Sequence, residues 1–124
     1  MTLMERHILR HGHPRHMIVA VVTVIWSTYF FWQHELAFAL WTIAGGVILA
    51  RIVTFGMDEA QLAQTTLGKI LLLHLHPANV ILQSLGYALA MFGVWEHQAV
   101  LIMAGTTMVF LGHMWGWHKV SAAF

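Results

Sequence analysis

Histidine is the residue type with the greatest chemical potential in this chain, which has ten histidines and no cysteine. Two stretches repeat the same signature, "HGHP" at residues 11–14 and "HLHP" at residues 74–77. Neutral imidazole is the usual nitrogen ligand for iron, zinc and copper. The absence of cysteine excludes disulfides, thiolate nucleophiles and cysteine-based zinc or iron–sulfur sites. The residue types therefore favour a metal site built from histidine.

The spacing of the polar residues predicts where such a site lies. His76, Asn79 and Gln83 recur at intervals that place them on one face of a helix. His113 falls at a similar depth in the last apolar segment. We predict metal ligands among His13, His74, His76, His113 and His118, with a polar layer of His16, Asn79 and Gln83 beside the metal.

The elements that must position these residues are membrane helices. The chain is 59% hydrophobic and 9% charged, with a mean hydropathy of +0.70. Four blocks contain no acidic residue, lysine or arginine: 17–32, 36–48, 80–95 and 99–111. With its apolar flanks, each approaches the roughly 20 residues that cross a bilayer as a helix. The sequence predicts an all-α integral membrane four-helix bundle that forms a single domain over residues 1–124.

The basic residues predict the orientation of the bundle. Arg6, Arg10, Arg15, Arg51, Lys69 and Lys119 all fall on one side of the four blocks, whereas the turns at 33–35 and 96–98 contain none. The positive-inside rule places that side, and both termini, in the cytoplasm. We predict a bacterial inner-membrane protein whose first block is a retained span, since no small-residue cleavage site follows it. The basic residues form no dense patch, so no nucleic-acid partner is expected.

An offset of 63 residues aligns the two halves of the chain. It superimposes His11 on His74, His13 on His76, Pro14 on Pro77, Trp32 on Trp95 and His34 on His97. We interpret this as a parallel repeat of two helical hairpins, about residues 7–55 and 74–118. Proline suits the first turn of a helix, so Pro14 and Pro77 are predicted to begin spans.

Two further features concern the packing of these hairpins. An interfacial helix over about residues 58–75 is predicted between them, with Asp58 as its N-cap. Gly105, Gly112 and Gly116 form a strip of small residues that favours close packing of the last span.

The second half resembles the membrane-embedded 2-hydroxy fatty acid dioxygenase family. The resemblance rests on "HPANVILQSLG", which includes His76, Pro77 and Asn79, and on "LGHMWGWHK", which includes His113. Members of that family are small four-span proteins that use ferrous iron to shorten 2-hydroxy acyl chains. The resemblance implies iron at His76 and His113. Gln83 stands where the family has a second histidine, so other histidines would have to complete the shell.

Three functions follow from these observations. The leading hypothesis is a non-haem Fe(II) oxygenase or hydroxylase whose lipid or fatty acyl substrate enters from the membrane. The second is a haem protein, with His13 and His76 or His34 and His97 as symmetric axial ligands. The third is a homo-oligomer or an accessory subunit of a larger membrane complex, with histidines as pigment or interface ligands. The outer pair His34 and His97, beside Glu35 and Glu96, fits a second site or an ordinary polar turn.

Overall fold

Helices account for nearly all of the computed structural model, which describes residues 2–73 and 77–115. These residues contain seven α-helices and no strand: α1 Leu3–His11, α2 Pro14–Trp32, α3 Leu36–Val53, α4 Glu59–Gln64, α5 Thr66–Leu73, α6 Pro77–Trp95 and α7 Ala99–Met114. Three of them, α2, α3 and α6, are long and apolar enough to cross a membrane, as expected of an integral membrane protein. The fourth apolar helix, α7, is shorter, at 16 residues.

The helix starts follow local side-chain chemistry. Pro14 occupies the first turn of α2, and the His13 ring precedes it as the N-cap, where Nδ1 accepts the Arg15 backbone N–H at 3.2 Å. The helix α6 likewise begins at Pro77. Asp58 caps α4 by accepting the backbone N–H of Gln61 at 3.0 Å. The predicted prolines and the predicted acidic cap are confirmed.

The segment between the hairpins differs from the single helix predicted over about residues 58–75. It forms two short helices, α4 and α5, that are separated at Thr65. Thr65 has an extended backbone, and its hydroxyl accepts the Gly68 backbone N–H at 3.1 Å. A threonine side chain that bonds the nearby backbone competes with helix continuation and favours a new N-terminus. The helix α4 therefore ends after six residues.

The turn between α2 and α3 and the turn between α6 and α7 have the same backbone. His34 and His97 adopt left-handed conformations, with φ of 58° and 53°. In each turn the next backbone N–H reaches the carbonyl five residues back, from Glu35 to Phe30 at 2.9 Å and from Gln98 to Gly93 at 2.8 Å. This is the Schellman arrangement, in which glycine or asparagine usually takes the left-handed position. Histidine takes it twice here, 63 residues apart.

Glycines form the seam between α6 and α7. A Cβ atom on Gly86 would lie 2.7 Å from the Gly105 carbonyl oxygen, and one on Gly93 would lie 2.6 Å from the Ile102 nitrogen. Gly112 packs in the same way against Gln83. The backbones therefore approach closely, as small residues allow between membrane helices. The predicted small-residue strip is confirmed at Gly105 and Gly112, whereas Gly116 lies outside the described residues.

The two hairpins meet mainly along α2 and α6. The hydroxyl groups of Ser27 and Tyr87 are 3.2 Å apart, and the Thr28 hydroxyl oxygen lies 3.7 Å from the Met91 sulfur. Ser27 is fully buried at this contact. On the α1 side of this contact, a cleft lies against α2 and α3, and Tyr87 of α6 is among its lining residues.

Candidate functional site

The amino-terminal helix α1 covers one end of the helices. It is amphipathic and begins with a capping box, in which the Thr2 hydroxyl accepts the Glu5 N–H and the Glu5 carboxylate accepts the Thr2 N–H at 2.6 Å. That backbone hydrogen bond lowers the pKa of Glu5. Leu9 is completely buried, and Arg10 forms an ion pair with Glu59 on α4 at 2.6 Å. One apolar contact and one ion pair thus hold α1 across the neighbouring helices.

This docking brings together histidines from α1 and α2. The ring centres of His7 and His11 are 5.9 Å apart, and those of His11 and His16 are 4.6 Å apart. Desolvation, together with repulsion from His16, His7 and His113, lowers the pKa of His11 to about 4. His11 is therefore neutral at pH 7, with a lone pair on one ring nitrogen. We call His7, His11 and His16 the histidine cluster.

A cleft of about 770 Å³ opens on one side of the histidine cluster, between α1, α2 and α3, and Tyr87 of α6 also lines it. We call it the large cleft. Its α1 end is polar and basic, lined by Arg6, Arg10, Arg51 and Glu59 as well as the cluster. Its deeper part is apolar or weakly polar and is lined by Ala20, Thr23, Val24, Ile43, Gly46, Val47 and Tyr87. A site with one basic end and one apolar end matches the chemistry of an anionic amphiphile.

A second cleft, of about 430 Å³, lies on the other side of His7 and His11. We call it the small cleft. Its lining includes Asn79, Gln83 and His113. Asn79 is buried and donates to the Trp115 carbonyl at 3.1 Å, while its own carbonyl oxygen accepts from Gln83. The structure therefore gathers part of the predicted polar layer around one cavity.

Two residues that line the large cleft each carry a buried side-chain nitrogen with no hydrogen-bond partner among the described residues. These nitrogens are Nε of Arg10 and Nδ1 of His16. Arg10 uses its terminal nitrogen for Glu59, which leaves the Nε–H donor unpaired. A buried unpaired donor costs about 1–3 kcal/mol, so Nε of Arg10 would gain from an acceptor that could reach it.

The predicted ligands have different environments. Nδ1 of His113 donates to the Val109 carbonyl at 2.9 Å, because a carbonyl only accepts, and this leaves the lone pair on Nε2. His13 serves as the N-cap of α2, so its Nδ1 lone pair is already used. His16 joins the histidine cluster. His74, His76 and His118 lie outside the described residues.

Iron, which the family resemblance implies, does not fit the described residues alone. Among residues 2–73 and 77–115, no group of three histidine or carboxylate side chains converges closely enough to hold an ion. His7 and His11, which are not among the predicted ligands, line both clefts. The sequence signal for this shared position is their spacing of four residues, which places both side chains on one face of α1.

The pKa of His11 predicts a response of α1 to acid. Since the folded-state pKa lies below the ordinary value of 6.5, undocked α1 binds a proton more readily than docked α1. Docking is fully stable above about pH 6.5 and weakens as the pH falls toward about 4. A spin label on Leu3→Cys, which is unique because the chain has no cysteine, should become more mobile over this range. His11→Gln should flatten the response; an unchanged profile would assign the transition to another group.

Comparisons with known proteins found no match to this chain among protein-family models, curated proteins or solved structures.

Proposed function

We propose that this chain is a membrane protein that binds an anionic amphiphile, such as a fatty acid or a lysophospholipid, in the large cleft. The head would lie against Arg10 and His16, and the acyl chain would extend toward Tyr87. The observation that carries the proposal is the pair of buried, unpartnered nitrogens at the basic end of a cleft whose other end is apolar. Arg6 and Arg51 line the same end and add positive charge.

We further propose a four-span arrangement in which α7 crosses the membrane beside α6. The 16 residues of α7 correspond to about 24 Å of helix, slightly less than the hydrocarbon core. Local thinning of the bilayer accommodates a span of this length. The α1 end would face the cytoplasm, because the basic residues of the chain cluster there. A bacterial inner membrane is the setting we propose.

The repeat is part of the same proposal. The hairpins α2–α3 and α6–α7 begin 63 residues apart, and their turns share one backbone arrangement. These observations support an internal duplication. The polar residues differ between the copies, since Asn79 aligns with His16 and His113 with Ala50. The large cleft lies mostly against the first repeat, and Tyr87 lines it from the second repeat.

Competition between matched amphiphiles tests the proposed function. Oleate and oleyl alcohol have the same chain and differ in the charge of the head. We expect oleate to displace a fluorescent fatty acid from the detergent-purified protein at much lower concentration than oleyl alcohol. Oleoyl lysophosphatidate distinguishes a phosphate preference from a carboxylate preference. Equal displacement by oleate and oleyl alcohol would contradict the proposal.

As a second candidate, we propose a non-haem iron oxygenase or hydroxylase acting on a lipid acyl chain. The observation in its favour is the small cleft, where His113 retains its Nε2 lone pair beside Asn79 and Gln83. The ligand shell would require His74, His76 or His118 in addition. Near-stoichiometric iron in protein purified without a histidine tag would support this candidate. A Soret band would instead support the haem alternative, and co-purification of other subunits would support an accessory role.

A further inference from the structure

Four rings from both hairpins meet at the turns, at the opposite end of α2 and α6 from α1. The His97 ring stacks on Trp32 with ring centres 3.7 Å apart, and the His34 ring meets Trp95 edge-on at 4.5 Å. The two imidazole rings themselves are 5.2 Å apart. We call Trp32, His34, Trp95 and His97 the turn cluster. Each histidine therefore contacts a tryptophan of the other hairpin.

The backbone holds both histidines in place. His34 and His97 occupy the left-handed positions of their Schellman turns, with φ of 58° and 53°. Histidine, like asparagine and aspartate, is enriched among the few residues other than glycine that adopt this conformation, so both turns tolerate it. Ring stacking on tryptophan adds a contact at each turn. It does not require that both residues be histidine, since phenylalanine or tyrosine would stack equally well.

The ring nitrogens of the two histidines can also bind a metal ion. Nε2 of His97 lies 2.9 Å from the Trp32 carbonyl oxygen, which only accepts, so Nε2 carries the proton and Nδ1 has the lone pair. A histidine that donates one ring N–H to a backbone carbonyl while the other nitrogen binds metal is the usual arrangement in metalloproteins. Two imidazoles bound to one ion at ordinary Zn–N distances have ring centres about 4.5–6 Å apart. The observed separation of 5.2 Å lies within that range.

We propose that His34 and His97 form a site for a borderline divalent ion, such as Zn²⁺, Ni²⁺ or Cu²⁺. Both side chains are exposed, so water can complete the coordination shell. Imidazole ligands select these ions over Mg²⁺ and Ca²⁺, which prefer oxygen. Because one ligand comes from each hairpin, the bound ion joins the hairpins at the turns. The site is independent of the large cleft and of the amphiphile proposed to bind there.

The test compares zinc bound per chain in variants that separate this site from the other histidines. Asparagine tolerates the left-handed conformation, so His34→Asn with His97→Asn retains the turns while removing both ligands. His7→Asn with His113→Asn removes the same number of imidazoles at the α1 end and serves as the matched control. Equilibrium dialysis of untagged protein against Zn²⁺ should show that the turn variant loses one ion that the control retains. Either single turn variant should weaken that binding on the order of tenfold or more.

A second measurement uses the unaltered chain. Diethyl pyrocarbonate modifies exposed imidazoles, and peptide mapping reports the modification at His34 and His97 separately. Zn²⁺ should protect both residues with the same midpoint, whereas Mg²⁺ should protect neither. Cu²⁺ should quench tryptophan fluorescence with a component that the turn variant lacks, because Trp32 touches His97. The proposal would be overturned if the turn variant bound as much zinc per chain as the unaltered protein. It would also be overturned if Zn²⁺ protected only one of the two histidines from diethyl pyrocarbonate.

Discussion

Gly105→Leu is expected to separate α6 from α7 and to lower the free energy of unfolding by about 3 kcal/mol or more. A Cβ atom at residue 105 would meet the Ala90 backbone nitrogen and would lie 2.7 Å from the Ala90 Cα. These are backbone atoms, which no rotamer change can move aside. The larger leucine side chain can be accommodated only if the helices move apart along the whole seam. Denaturant unfolding in mild detergent, followed by circular dichroism, measures the loss.

Gly45 provides the matched control for this prediction. It lies inside α3, and a Cβ atom there meets nothing within 4 Å. Gly45→Ala should be neutral or should stabilise the protein by about 0.5–1 kcal/mol through helix propensity. Gly105→Ala, the same chemical change at the seam, should destabilise by about 1–3 kcal/mol. If the two alanine variants unfold alike, the close approach of α6 and α7 is wrong.

The sequence predicts most of the helices because their signals are local. Pro14 and Pro77 restrict the backbone at the first turn, and the apolar blocks that follow need only a helical conformation to satisfy their backbone groups. Asp58 is a cap because its side chain reaches the next turn. The break at Thr65 is missed because its cap competes with an apolar helical pattern of similar strength. Left-handed backbone at His34 and His97 is also missed, since residue preference there favours glycine.

The candidate site is less predictable, because it depends on the position of α1. Asn79 and Gln83, predicted to share one helix face, line the small cleft together, and a helical repeat suffices to place them there. His7 and His11 enter the site only because Leu9 is buried and Arg10 reaches Glu59, across 49 residues of sequence. No periodicity within α1 specifies that partner. His13, predicted as a ligand, is a helix cap here, because a histidine before proline can serve either purpose.

Arg10→Gln is expected to weaken binding of an anionic amphiphile by about 10- to 100-fold. The change removes a charged donor, and a hydrogen bond to a charged group contributes about 1.5–3 kcal/mol. Displacement of a fluorescent fatty acid by oleate measures the affinity, and oleyl alcohol should be nearly unaffected. Arg15→Gln is the matched control, because Arg15 carries the same charge but lines neither cleft. Equal affinity of the two variants for oleate would contradict a role for Arg10 in binding the head.

A loss of affinity in Arg10→Gln has a second explanation, since Arg10 also holds α1 against α4. Glu59→Gln separates the two roles. It removes the same ion pair, so any weakening that comes from loose docking of α1 should appear in this variant as well. It also removes the carboxylate that competes for Arg10, so a site for an anionic head should bind oleate as tightly as before or more tightly. Parallel losses in both variants would assign Arg10 to docking. Opposite effects would assign it to the ligand, because loose docking of α1 would weaken binding in both variants.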